Sequence, residues 1–252
     1  MGTDGKETMY GDLARWWPLI SPPSEYVEEA VDLLPELMSA TETPPVTLLE
    51  LGSGGGSLAY HLKAHLRLTL SDLSPQMLEV SRAINPECEH IQGDMRSLRL
   101  GRQFDVVFIH GAIVYLTTEN DLRAAIATAF SHCRPGGIAV FQPDYILETF
   151  QASTSHVGHD GAGRSLRYLE WVRTQTPIDN HYLTEYVLLL HEEGKPVEVV
   201  HDTHEEGVFD RATWLRLLRE AGFEPVERSV RSYYGEEERD QAIFVARKSG
   251  ES

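Results

Sequence analysis

The sequence holds little of what disulfide-stapled or zinc-stapled proteins are built from. Cys88 and Cys133 are the only two cysteines among 252 residues. Two cysteines build neither a disulfide framework nor a four-cysteine zinc site, so a reducing, cytoplasmic setting is expected. Positive charge is also scarce, with 22 Lys and Arg against 39 Asp and Glu and a formal net charge of −17. That deficit speaks against nucleic acid, where a basic face supplies most of the affinity, and against anionic membranes. No apolar run approaches the ~18 residues of a membrane span. No apolar core of a signal peptide stands in the first 25 residues. Internal repeats and low-complexity tracts are missing too. What remains is an acidic chain with 41% hydrophobic residues, long enough for one α/β domain with an insertion.

The most informative stretch is Thr47-Leu48-Leu49-Glu50-Leu51-Gly52-Ser53-Gly54-Gly55-Gly56-Ser57-Leu58. Its apolar part reads as a buried strand, and Leu58, Leu62 and Leu66 continue with helical spacing. Strand, glycine turn and helix form the first unit of a nucleotide-binding sheet. A dinucleotide fingerprint G-x-G-x-x-G beginning at Gly52 needs glycine at position 57, where Ser57 stands, which argues against a dehydrogenase. The pattern present is E-x-G-x-G-x-G, over Glu50, Gly52, Gly54 and Gly56. It resembles motif I of the class I S-adenosylmethionine (SAM) methyltransferases. A generic glycine turn in another Rossmann-like protein is the competing reading.

In chain order, residues 1 to 8 are polar and expected to be disordered. Met9 to Pro18 places Tyr10, Trp16 and Trp17 close together. Ser24 is a candidate cap for a helix from Tyr26 to about Ser39, with Val27, Ala30, Val31 and Leu34 on one face. Residues 41 to 45 read as a linker. Leu66 to Asp72 alternates like a strand and ends in an acid 22 positions after Glu50. Such an acid accepts hydrogen bonds from a ribose diol. Its competing role, as a helix N-cap, suits Ser74 better, because Pro75 follows at the first helical position.

Residues 89–92 read as a short third strand, followed by Asp94 and Met95. Phe104 to Ile109 is the most continuous strand-like run and lacks alternation, as a parallel strand covered on both faces should. His110 follows it, and Tyr115 opens the next loop. Asp121 to Cys133 reads as a helix, stopped by Arg134-Pro135-Gly136-Gly137, and residues 138–141 read as the fifth strand.

Four motifs then stand in order: Glu50-x-Gly52-x-Gly54, Asp72-Leu73-Ser74-Pro75-x-Met77-Leu78, Gln92-Gly93-Asp94-Met95 and Arg134-Pro135-Gly136-Gly137. Together, over about residues 46–145, they resemble a class I SAM-dependent methyltransferase. The resemblance implies a Rossmann-like, mostly parallel seven-stranded sheet, with SAM as cofactor and S-adenosylhomocysteine as product. It places Tyr10, Glu50, Gly52, Ser53, Gly54, Asp72, Leu73, Met77, Asp94, Met95 and His110 around the cofactor. Asp94 would accept from the adenine amine, with Met95 on the ring, against the alternative of an ordinary turn residue. The aromatic N-terminal segment would be a lid, against the alternative of a hydrophobic staple onto the domain. A finer similarity runs through residues 92–104, Tyr115-Leu116-Thr117-Thr118, Leu147-Glu148-Thr149-Phe150 and His201-Asp202-Thr203-His204. These resemble the N,N-dimethyltransferases of TDP-amino sugars. The chain departs from those enzymes at Glu205-Glu206-Gly207 and in its N-terminus.

Beyond the fifth strand the alternating pattern stops. Ser153 to Arg164 reads as a polar loop, and 167–175, 182–191 and 197–206 read as strands, the last two joined by a hairpin at 192–196. Asp210 caps a helix ending at Gly222, and strands at 223–232 and 240–247 close the sheet. The expected organisation is therefore a lid segment (1–45), a SAM-binding core (46–145), an antiparallel insertion over the active site (146–206) and the last helix and strands of the core (207–252).

Methyl transfer from a sulfonium needs orientation, water exclusion and, for an ammonium or hydroxyl acceptor, a base. Histidine suits that role by its pKa. The candidates are His204 and His110, each set against an ordinary structural histidine. His201 and His204 point to opposite faces of a strand, which argues against a metal pair, and no metal is expected. Tyr115, Tyr145, Tyr168, Trp171 and His204 are the candidate substrate residues. The expected guest is a small molecule, most naturally an amine, held by a monomer or homodimer. An O-methyltransferase and a non-catalytic SAM-binding module remain as alternatives.

Overall fold

A computed structural model describes residues 8–39, 44–174, 180–234 and 237–250. The first seven residues, expected to be disordered, and residues 41–43 of the expected linker lie outside the described residues.

The central sheet has seven strands in the order β10-β11-β5-β4-β1-β2-β3. They are β1 (Thr47–Leu51), β2 (Arg67–Asp72), β3 (Glu89–Gln92), β4 (Phe104–Ile109), β5 (Cys133–Phe141), β10 (Phe223–Tyr234) and β11 (Glu237–Lys248). The first five run parallel. The last two form a hairpin whose β11 lies antiparallel to β5. Between β1 and β4 the direction of winding reverses. That reversal opens a crevice beyond the carboxyl ends of the strands, where ligands of such sheets bind.

Both faces of this sheet are covered. Leu48, Leu70, Val106, Phe108 and Ile138 pack with Leu33 and Leu37 on one side. Leu49, Leu51, Val107, Ile109 and Phe141 pack with Leu122, Ile126, Trp214 and Leu218 on the other. The helices carrying these partners are α2 (Val27–Ser39), α5 (Glu119–His132) and α6 (Arg211–Glu220). They follow a single helical turn, α1 (Trp17–Ile20), and enclose α3 (Ala59–Leu62) and α4 (Pro75–Ile84) in the chain order. Ser74 caps α4 by accepting from the Met77 amide, and Asp210 caps α6 by accepting from that of Thr213, as expected.

Several boundaries differ from the sequence reading. Ser24 does not cap the N-terminal helix. A 3₁₀ turn over Pro23–Tyr26 leads into α2, with Pro22 before it. The buried stripe of α2 is Ala30, Leu33 and Leu37, while Val27 and Val31 face solvent. Two apolar stripes overlap in this helix, and the one with two leucines buries more area against the sheet. The helix after the glycine loop is one turn long, and β5 begins at Cys133, immediately after α5.

The insertion is a separate four-stranded antiparallel sheet in the order β6-β7-β8-β9. Its strands are β6 (Ser153–Gly161), β7 (Arg164–Arg173), β8 (His181–Glu192) and β9 (Glu198–Gly207). The stretch read as a loop is thus mostly strand β6, paired along its length with β7. Val157 is the one bulky apolar residue in it, so almost no apolar alternation marks it. The hairpin between β8 and β9 falls where expected.

The N-terminal segment joins the two sheets. Met9, Leu13, Trp16 and Ile20 pack on Leu166, Leu188 and Leu190 of the second sheet. Trp17 lies over the glycine loop so closely that a Cβ on Gly55 would overlap its indole ring. No described helix is long and apolar enough to cross a membrane.

Candidate active site

A cavity of about 1170 Å³ lies between the carboxyl ends of the parallel strands and the inner face of the second sheet. It exceeds the ~300–1,000 Å³ usual for a single small-molecule pocket. Two guests have room side by side.

One half is built by the loops after β1, β2 and β3. Gly52 and Gly54 have φ of +77° and +54°. A Cβ at Gly52 would come within 2.5 Å of Ala112 Cβ, whereas Gly54 has only Met77 Cε at 3.7 Å. The turn therefore needs glycine at Gly52 for space and at Gly54 for backbone conformation. Asp72, at the end of β2, accepts from the Gly54 amide at 2.8 Å and from the Ser74 amide at 2.9 Å. It fixes the glycine loop and the α4 entry together. A carboxylate has further lone pairs to offer a ligand.

Glu50 is 2% exposed, and its Oε2 has no hydrogen-bond partner. Burial pushes its carboxyl up to about 7 against the opposing pull of His110. Ser53 Oγ is likewise buried and unpartnered. Asp94 lines the wall beside Met95 and Leu73, and is gripped by Arg96 at 2.6 Å. Arg96 also reaches Asp121 at 3.0 Å. Met77 is buried below the loop and does not line the cavity.

The other half lies under the second sheet. Tyr168, Glu170, Tyr186, Leu188 and Glu206 line it, together with Tyr10, Tyr115 and Asp144. The Tyr10 and Tyr115 hydroxyls are 2.5 Å apart, and Tyr115 Oη is 2.7 Å from His204 Nδ1. His204 Nε2 lies 3.3 Å from Asp202 Oδ2. Asp202 as a carboxylate only accepts, so His204 donates through Nε2–H and accepts a hydrogen bond from the Tyr115 hydroxyl at Nδ1. Asp202 Oδ2 also accepts the Met9 amide at 3.0 Å. Burial raises both tyrosine hydroxyls above their ordinary value, so both stay protonated.

The sequence candidates separate in space. His204 stands behind the two tyrosines, its side chain fully buried, and does not touch the cavity. His201, on the opposite face of β9, is exposed. Trp171 is 51% exposed on the outer face of the second sheet, away from the cavity. Tyr145 packs with Phe150 and Tyr182 in a separate apolar cluster. The structure therefore corrects the expectation that Trp171 and Tyr145 face the crevice. Strand parity accounts for Trp171, because Leu166, Tyr168, Glu170 and Val172 take the inward positions.

His110 lines the cavity and pairs with Glu29 at 2.6 Å. Burial lowers the pKa of its imidazole, but the Glu29 charge and hydrogen bond, with Asp144 and Glu50, outweigh that and raise it to about 9. As an imidazolium it has no lone pair with which to take a proton.

Glu29, Asp144, Glu170 and Glu206 were not among the candidate site residues read from sequence, although Glu206 stood out as a departure from the amino-sugar enzymes. Asp144 follows β5 as Asp72 follows β2, so the strand-end rule reaches it. Glu170 and Glu206 fall at inward positions of alternating strands, a second readable signal. Glu29 carries no such mark.

Residues 48–137 match the model of a methyltransferase domain family. Over 200 residues the chain is 31% identical to the dTDP-3-amino-3,4,6-trideoxy-alpha-D-glucopyranose N,N-dimethyltransferase of Streptomyces venezuelae, covering 79% of this chain and 83% of that protein. It is 27% identical over 231 residues to the dTDP-3-amino-3,6-dideoxy-alpha-D-glucopyranose N,N-dimethyltransferase of Streptomyces fradiae, with 87% of each covered. The crystal structure of Streptomyces venezuelae DesVI superposes with a TM-score of 0.75 at 27% identity, covering 98% of both chains. The chain belongs to the class I SAM-dependent methyltransferases. It is an enzyme that takes its methyl group from S-adenosylmethionine and acts on a small-molecule acceptor.

Proposed function

We propose that the chain methylates the nitrogen of a small amine of amino-sugar type. The observation that carries this reading is the chain of hydrogen bonds from Tyr10 through Tyr115 to the buried His204–Asp202 pair. An amine is an ammonium at neutral pH and must lose a proton before its lone pair can attack. A proton given to the Tyr10 oxygen displaces the Tyr10 proton to Tyr115 and the Tyr115 proton to His204 Nδ1. The positive charge then rests on His204 beside Asp202, and both tyrosines end neutral. His204 acts at a distance, as the terminal base of a relay, so its lack of contact with the cavity fits this role. The names of both curated relatives specify an amine nitrogen as acceptor, and each alignment spans most of the chain.

The residues of the first half fit SAM. The unpartnered, buried Glu50 Oε2 suits the ammonium of the methionine moiety, and the open space at Gly54 admits a ligand against bare backbone. Asp72 would hold the ribose diol, and Asp94 with Met95 the adenine. The cofactor supplies an electrophilic methyl on a sulfonium, and the chain's part is to orient, exclude water and take the proton. His110 holds Glu29 in place at the boundary between the two halves.

The test is a screen with labelled SAM against amines and hydroxyl compounds side by side, followed by His204→Ala. Turnover on nitrogen is expected, and His204→Ala should lower kcat by ~10²-fold or more with S-adenosylhomocysteine affinity little changed. Transfer only to phenols or carboxylates would sink the amine reading. A wild-type kcat in the variant would sink the relay.

A further inference from the structure

The segment that ends β5, Gln142-Pro143-Asp144, is pinned by two side-chain amides. The Gln142 backbone amide donates to the Ile109 carbonyl at 2.9 Å. Its side chain, fully buried, donates to Glu29 at 2.7 Å and to Gln241 Oε1 at 3.1 Å. Gln241 Nε2 in turn donates to the Pro143 carbonyl at 2.8 Å. This network fixes the peptide that carries Asp144 and leaves its carboxylate out. That carboxylate lines the cavity and accepts no hydrogen bond from any described residue. It lies over the bare backbone of Gly111, where a Cβ would come within 3.1 Å of Oδ1.

Asp144 stands where the two halves of the cavity meet. Burial dominates the protonation of Tyr10, Tyr115, Glu206 and His110, and the Asp144 charge acts on all four, raising each. Neighbouring carboxyls are already engaged. Asp72 accepts two backbone amides, Glu29 pairs with His110, and Glu206 accepts from Thr184 at 2.6 Å. Burial also holds Glu206 up at about 8, toward its neutral form. Burial raises Asp144 too, but the imidazolium of His110 opposes it and the carboxyl rests at about 6. Above neutral pH it is therefore mainly ionised. A charge held in such a place without a hydrogen bond is costly, and a ligand N–H would remove the cost.

We propose that Asp144 receives the acceptor nitrogen: its carboxylate accepts a hydrogen bond from one N–H of the substrate ammonium and so selects an amine over a hydroxyl at that position. This inference rests on the N-methyltransferase reading above and adds a second contact to the nitrogen beside the relay. Another N–H faces the Tyr10 hydroxyl, which takes the proton. The Asp144 contact persists through that transfer, so the nitrogen keeps its place while its lone pair comes free. A hydrogen bond between charged groups is stronger than one between neutral groups, and a low dielectric strengthens it further. A hydroxyl brings no charge and gains less.

The test uses the full chain loaded with S-adenosylhomocysteine, titrated calorimetrically above neutral pH with two probes. These are dTDP-3-amino-3,6-dideoxyglucose and its 3-hydroxy counterpart. The wild type should bind the amine about tenfold more tightly or better. Asp144→Asn, isosteric and checked by retained S-adenosylhomocysteine affinity, should weaken the amine about tenfold and leave the hydroxy probe within about twofold. Equal binding of the two probes by the wild type, or an unchanged amine affinity in the variant, would overturn the inference. So would an equal loss for both probes, which marks a part in cavity shape alone. N-methylation by Asp144→Asn at wild-type kcat/KM would overturn it while leaving the N-methyltransferase reading intact. Transfer by the wild type confined to hydroxyls would instead defeat that reading.

Discussion

Tyr10 and Tyr115 stand 105 residues apart in the chain, and their hydroxyls meet at 2.5 Å inside the cavity. One comes from the N-terminal segment and the other from the 3₁₀ turn after β4, so the contact exists only when that segment is docked. Tyr115 is the link that reaches His204, while Tyr10 is the outer end. Tyr115→Phe should therefore lower kcat by ~10²-fold, the scale of lost acid–base catalysis, with cofactor affinity unchanged. Tyr10→Phe removes the oxygen that receives the proton and should cost about as much. Steady-state kinetics on the two variants, with S-adenosylhomocysteine titration alongside, compares them. A much smaller loss for Tyr10→Phe would place the proton's entry at Tyr115 instead.

Asp72 receives two backbone amides, from Gly54 and Ser74. Asp72→Ala removes the proposed ribose acceptor and frees the glycine loop at once. S-adenosylhomocysteine should bind more weakly by at least ~1–3 kcal/mol, the range for hydrogen bonds to a charged group. Calorimetry on a folded variant decides it, and unchanged affinity would remove Asp72 from the site.

Gly55 has no room for a methyl group under Trp17. Gly55→Ala should push the indole away at ~1–3 kcal/mol, the usual cost of overpacking, and loosen the docking of residues 8–20. Faster proteolytic cleavage within that segment, with a change in tryptophan fluorescence, is the expected reading. Unaltered cleavage would mean that packing on the second sheet alone holds it.

Stability should fall as pH rises from 6 to 9. The His110 imidazole is raised to about 9, so its pairing with Glu29 contributes in full below its unfolded value of ~6.5 and is lost as pH rises through 9. Glu50, held at about 7, and Asp144, at about 6, act in the same direction, because the folded chain keeps protons that the unfolded chain has released. Glu29, lowered by its partners despite burial, contributes above its unfolded value and fails at acid pH. His110→Gln should cost about 1–3 kcal/mol near pH 6 and flatten the alkaline decline. Thermal unfolding across this range checks it, and a flat Tm in the wild type would contradict the pairing.

What the sequence disclosed followed from contrast. β1 and β4 are mostly apolar without alternation, and Glu50, Asp72 and Asp94 sit at or near strand ends, so topology alone sent them to one crevice. β6 was hidden because Val157 is the only bulky apolar residue in it, set between the inward-facing Ser155 and His159. His204 could be named but not placed, since strand parity says which face it takes and not that two tyrosines stand in front of it. Glu29 was silent because its partner, His110, is 81 positions away, on another element.

The N-terminal segment is bonded to three separate parts of the molecule. The Met9 amide meets Asp202 on the second sheet, the Tyr10 carbonyl accepts from Ser74 at the head of α4, and Trp17 rests on Gly55. A cofactor leaving past this segment would have to break a latch whose far end is anchored on the opposite sheet. Asp202, which does not line the cavity, would then set part of the exit rate of S-adenosylhomocysteine.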